Sequence, residues 1–301
     1  MKVFVAGGTG FVGLSVVAKL LETGHEVICL ARNPEKVRLP LAVSVLKGDA
    51  TEPKGLADKL KGADAVINLI GIIRSYHSRG ITFRKLHVEA TQNLLKAAQN
   101  SGIKRFIQMS ANGAARKGIT EYQRTKYEAE VLVKSSGMDW TIFRPSLIFG
   151  PPSAGKMEFC TQISNILRRS PFAPVFGNGE YRLQPIHLDD VTSCFALAVD
   201  NPEAVKRIFH LGGRETISYN TILDIICIAM NIPVRRKIYV PWFTVRPLVA
   251  LMGSFSFFPV THYQIEMLMQ GNTVPEMEYR KVFGVSPKEF SSETLSYLRT
   301  R

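Results

Sequence analysis

Residues 2–22, KVFVAGGTGFVGLSVVAKLLE, decide how the rest of the chain is read. Val3, Phe4, Val5 and Ala6 form a short apolar run rich in β-branched and aromatic side chains, the composition of a strand buried on both faces. Gly7, Gly10 and Gly13 follow at GxxGxxG spacing, and Val12, Val16, Val17, Leu20 and Leu21 then recur at helical intervals. The order is strand, tight turn, helix. Free amides at a helix N-terminus, together with the positive end of its dipole, form a site for a diphosphate, and glycine lets the backbone come that close. In this reading Gly7 and Gly10 make the turn, and Gly13 lets the helix lie against the strand. The spacing differs by one residue from GxGxxG, so its weight comes from its position between a strand and an amphipathic helix.

Outward from that corner, a second strand, Glu26 to Leu30, runs into Ala31 and Arg32, where a dinucleotide fold meets the adenosine ribose. A carboxylate there would hold a 2′-hydroxyl. Its absence, with a guanidinium beside the position, favours NADP(H) over NAD(H). Further strands are expected over 43–46, 65–69, 104–109 and 140–143. They alternate with helical segments that include 56–60 and 82–100, the pattern of a parallel sheet with crossover helices. Asp49, after the third strand, is placed to accept from the adenine amino group.

Residues 121–135 have helix-forming composition and stop before Gly137. Tyr122 and Lys126 lie four apart and so share one face. A phenol titrates near 10, and an ammonium group held beside it favours the phenolate that acid–base work on a carbonyl requires.

The 301 residues carry a net charge of +13 and a pI near 9.7. The cations are dispersed, without the aromatic interleaving of a single-strand platform, so nucleic acid is set aside in favour of an anionic ligand or an acidic membrane surface. Cys29, Cys160, Cys194 and Cys227 are far apart and read as buried thiols in a reducing compartment. With a strand starting directly after Met1, a cytoplasmic location is expected, peripheral contact with a membrane remaining open. Residues 247–265 lack Asp, Glu, Lys and Arg, but Pro247, Gly253 and Pro259 divide them. They are expected to form a cap, an interfacial patch or a partner surface rather than a span.

GGTGFVG, GDA, NLIGI, HVEATQNLLKAA, RFIQMSANGA, YQRTKYEAE, DWTIFRPSLIFGP, QPIHLDDV and HLGG occur in this order. In that series the chain resembles the extended short-chain dehydrogenase/reductases, in particular the atypical branch of the NADPH-binding accessory subunit of respiratory complex I. The resemblance implies an α/β fold, a Rossmann-type doubly wound parallel sheet. The nucleotide-binding part would be 1–150 with returns at about 183–215, and a smaller, mostly helical part would be 151–182 and 216–301. It places the nucleotide on Gly7, Thr9, Gly10, Phe11, Val12 and Gly13, with Arg32 near the 2′-phosphate and Asp49 and Ala50 at adenine. Leu69, Ile70 and Gly71 would follow the ribose and diphosphate. Tyr122 and Lys126 would meet the nicotinamide ribose, and Pro145, Ser146 and Leu147 the nicotinamide face. Arg182, His187 and His87 would border the substrate. In active members a hydroxyl near the end of the fifth strand polarises the substrate carbonyl, and an asparagine organises a relay water. Register here puts Ala111 at the hydroxyl position with Ser110 one residue early, and His87 at the asparagine position. Two functions stay open: an oxidoreductase or epimerase acting on a carbonyl or sugar-nucleotide-like substrate, with Ser110 as carbonyl donor, or an NADPH-holding protein serving a membrane complex.

Overall fold

In a computed structural model that describes residues 1–152, 158–244 and 262–299, the opening run forms β1 (Lys2–Ala6) and the periodic segment forms α1 (Phe11–Glu22). Val3 and Val5 point to one side of the sheet and Phe4 and Ala6 to the other, and all four are fully buried. A strand apolar on both faces is stable only with helices on both sides. Those helices follow in alternation: β2 (Glu26–Ala31), β3 (Ser44–Lys47), α2 (Leu56–Leu60), β4 (Ala65–Asn68), α3 (Ala90–Asn100), β5 (Arg105–Met109), α4 (Glu121–Ser135) and β6 (Asp139–Pro145).

Seven parallel strands make the central sheet, in the order Arg207–Leu211, β6, β5, β4, β1, β2, β3. The chain winds outward from β1 through β2 and β3, then returns to lay β4 on the other side. The crevice beyond the C-terminal ends of β1 and β4 is therefore the switch point, where open α/β sheets bind ligands. On one face α1 packs with the helix Leu188–Leu197, burying Val16, Val17, Leu20, Val191, Cys194 and Phe195. On the other, α2, α3 and α4 bury Leu56, Leu60, Leu94, Leu95 and Val133. All four cysteines are buried free thiols.

The return to the sheet is made by Arg207–Leu211 beside β6, whereas 183–186 contributes only to short ladders: Arg182–Leu183 with Ile217–Ser218, and Ile186–His187 with Ile148–Phe149. The C-terminal segment also divides. Leu295 and Leu298 join a third core with Phe149, Leu167, Val175, Ile222 and Ile226, while Tyr279 and Phe283 pack back on the sheet with Phe143 and Phe209. Of the uncharged stretch, 247–261 lies outside the described residues, and 262–265 opens the helix His262–Met269. Among the described residues no helix is long and apolar enough to cross a membrane.

Candidate nucleotide site

At the first corner the chain turns through Gly7 with φ +84°, and Gly10, in extended conformation, precedes α1 without a side-chain cap. No acidic residue occupies the first turn of α1. The amides of Phe11, Val12 and Gly13 are thus left for an anion. The glycines divide the work by distance. A Cβ on Gly13 would lie 2.2 Å from the Gly7 carbonyl oxygen, and one on Gly7 would lie 2.8 Å from the Ile70 nitrogen. Gly8, which spacing did not single out, is held equally close: its Cβ would come within 2.7 Å of the Cys29 sulfur in β2. This cradle, which any side chain would fill, fits the diphosphate of a dinucleotide.

The contacts then run across the switch point without a break. Asn68, at the end of β4, is fully buried. Its amide nitrogen donates to Thr91 and Gln108, and its oxygen accepts from the Ile70 amide at 3.1 Å, fixing the turn through Leu69, Ile70 and Gly71. A Cβ on Gly71 would meet the Lys126 ammonium at 3.0 Å. The glycine corner, the turn after β4 and Lys126 of α4 are therefore contiguous. On the adenosine side, exposed Arg32 follows β2 with no ion pair or hydrogen bond among the described residues. The Asp49 carboxylate is oriented by the amide and hydroxyl of Thr51 at 2.9 and 2.8 Å, and the Ala50 carbonyl accepts from Asn93.

The catalytic half is arranged differently from expectation. Lys126, 4% exposed, donates to the Met109 carbonyl at 3.1 Å rather than to Tyr122. Burial lowers its pKa to about 8, with Glu130 acting against the shift. Tyr122 sits edge-on to Phe83 and His87, and loss of water raises its phenol to about 12, the direction opposite to activation. Ser110 is tied to α4. Its hydroxyl donates to the Glu130 carboxylate at 2.5 Å, and Arg144 grips the same carboxylate at 2.8 and 2.6 Å. Because Thr120 and Gln123 form a reciprocal cap at the start of α4, the helix register that aims Glu130 inward is fixed.

His87 is likewise held by its neighbours. It lies in a π-helical turn, Arg84–Glu89, that widens the helix leading into α3. The Thr125 hydroxyl donates to the Glu121 carbonyl and so accepts from His87 Nδ1–H at 2.9 Å, while Nε2 accepts the Ile72 amide at 3.2 Å. Both ring nitrogens are used, and burial, with Lys126 nearby, depresses the pKa to about 2. Since the folded state refuses a proton that the unfolded chain accepts below 6.5, stability should fall as pH drops from 6.5 toward 2. By pH 5 the loss should be about 2 kcal/mol. Urea unfolding of wild type against His87→Asn at pH 7 and 5 reads it, the variant lacking this increment.

His187 and Arg182 both make contacts within the fold. His187 caps the helix Leu188–Leu197 by accepting the Asp189 amide, and it packs edge-on to Phe149. Arg182 donates to the Thr216 carbonyl at 2.6 Å. Past β6, the Ser146 hydroxyl donates to the Gln184 carbonyl and its amide to Leu211, so only backbone and apolar surface of Pro145, Ser146 and Leu147 remain for a nicotinamide. The carboxylates of Asp189 and Asp190 engage Lys288.

A family model described as NAD(P)H-binding matches residues 7–166, from the first glycine of the corner through β6 and beyond. The chain belongs to the NAD(P)H-binding family. Among curated relatives of this NAD(P)H-binding protein, the mitochondrial NADH dehydrogenase [ubiquinone] 1 alpha subcomplex subunit 9 of Arabidopsis thaliana is 27% identical over 73% of this chain and 56% of that protein. The chain thus spans little more than half the length of that relative. The mitochondrial NADH-ubiquinone oxidoreductase 40 kDa subunit of Neurospora crassa is 24% identical over 98% of this chain and 78% of that protein. Among solved structures, UDP-glucuronic acid 4-epimerase from Bacillus cereus in complex with NAD superposes with a TM-score of 0.77 at 17% identity, covering 99% of this chain and 98% of that one. The fold is shared with that NAD-bound epimerase, and the chain is an NAD(P)-binding protein.

Proposed function

We propose that the protein holds NADP(H) as a retained ligand in the service of a membrane-bound redox complex or its assembly, with little turnover of its own. The commitment of the Ser110 hydroxyl to Glu130 carries this reading, because it removes the carbonyl donor. The neutral, doubly bonded His87 and the raised phenol of Tyr122 support it. The likeness to subunits whose names place them in NADH dehydrogenase supports the membrane complex. Phe11, Val12 and Gly13 would hold the diphosphate, Arg32 the 2′-phosphate, Asp49 and Ala50 the adenine, Tyr122 and Lys126 the ribose, and 145–147 the nicotinamide. The bound nucleotide would supply a hydride donor or acceptor.

A second reading, oxidoreductase or epimerase on a carbonyl or sugar-nucleotide-like substrate, is favoured by one observation: Lys126 abuts the turn after β4 that packs on the glycine corner, with Tyr122 four residues before it on the same helix. Turnover on carbonyl and nucleotide-sugar substrates by wild type and Tyr122→Phe separates the two. Equal inertness with nucleotide still bound is expected, whereas turnover abolished by Tyr122→Phe would establish the enzyme. In the same preparations Arg32→Ala should cut the preference for NADPH over NADH by about tenfold, the worth of one charge-assisted hydrogen bond. An unchanged preference would remove Arg32 from the 2′-phosphate.

A further inference from the structure

Strands Phe172–Phe176 and Arg236–Val240 pair in parallel, remote in sequence from the nucleotide corner. Register and pleat sort their side chains to two faces. Ala173 and Val175 are buried in the third core, and Lys237, their neighbour on that side, reaches Asp224 at 2.6 Å. The opposite face carries Phe172, Pro174, Phe176, Ile238 and Val240, with Arg236 as its one charge. A ladder with one face in a core ordinarily turns polar side chains to water on the other. Here Phe172 and Ile238 are 42% and 45% exposed, and Phe243, just beyond the second strand, is 78% exposed. Trp242 packs edge-on to Phe176 at the end of the same ladder.

The described segments that build and flank the ladder are depleted of acid: 159–179 and 233–244 contain no Asp or Glu, and exposed Arg169 and Arg236 make no ion pair among the described residues. A protein partner of mixed charge gives no reason for that depletion, whereas a surface of phosphate headgroups over hydrocarbon does. Apolar side chains enter the acyl boundary, Trp and Tyr sit at headgroup level, and each arginine near an anionic leaflet adds attraction. We propose that this face seats on an anionic lipid bilayer. The proposal builds on the reading of a nucleotide holder that serves a membrane complex, and it names the lipid contact.

The test is flotation of the full chain with vesicles of phosphatidylcholine alone or with 30% phosphatidylglycerol (about one lipid in three, enough for a strongly negative surface), NADPH binding being measured on the same samples. Binding to the anionic vesicles is expected, with little to the neutral ones. Phe172→Asp/Ile238→Asp and, separately, Arg169→Gln/Arg236→Gln should each weaken it by about tenfold or more. Wild type that stays unbound to anionic vesicles overturns the proposal and points to a protein partner for this face, and binding that neither double variant reduces overturns it by placing the lipid contact elsewhere. Either result with NADPH still bound leaves the nucleotide reading standing. Loss of NADPH binding with lipid binding intact would sink that reading alone.

Discussion

Gly13→Val should abolish retention of a nicotinamide dinucleotide and lower the stability of the fold. The new Cβ would fall 2.2 Å from the Gly7 carbonyl oxygen and 2.7 Å from Gly8 backbone atoms, so no rotamer change relieves it. The turn must move off α1, carrying the cradle with it. Overpacking of this kind costs about 1–3 kcal/mol, and the displaced amides lose their common aim at the diphosphate. Thermal unfolding and NADPH titration read the two effects. Gly24→Ala serves as the control: φ is +81° there, but a Cβ would meet nothing within 4 Å, so it should cost some stability and leave binding intact. A Gly13→Val protein that binds NADPH like wild type would remove the corner from the site.

Glu130→Ala should be the most damaging single change outside the corner. The carboxylate is fully buried and collects the Ser110 hydroxyl and both arms of Arg144, itself only 16% exposed. Removing it strands a guanidinium and a hydroxyl in the interior, a loss of about 3 kcal/mol. Glu130→Gln, which still offers an oxygen, should lose less. Urea denaturation measures both, and a loss below about 1 kcal/mol for the alanine variant would show the cluster to be hydrated or rearranged. Freeing Ser110 in this way should not create turnover, because Tyr122 stays in its apolar setting.

What the sequence made legible was local or periodic. The run Val3 to Ala6 declares a strand buried on both faces, and GxxGxxG declares how closely α1 lies against β1. The four-residue step from Tyr122 to Lys126 declares a shared face. Each of these needs only neighbours within a few residues. The engagements that redirect the site are long-range: Ser110 meets Glu130 twenty residues later, and His87 meets Thr125 across 38. A one-residue offset at the end of β5 gives no sign of where a hydroxyl points. Nothing local shows that an inward Glu130 waits beneath it. His187 reads as a cleft residue until the helix it caps is seen. The seventh strand, Arg207–Leu211, is located within 183–215 only by its pairing with β6. Gly8 was passed over because its close neighbour, Cys29, belongs to another strand.

The central claim is that the first-turn amides of α1 grip a dinucleotide whose 2′-phosphate lies beside Arg32. Calorimetric titration of the nucleotide-stripped protein with NADPH, and separately with NADH, tests it most directly. Saturable binding of NADPH at one site per chain, tighter than that of NADH, is the predicted result. Heats no different from dilution for both nucleotides would contradict it.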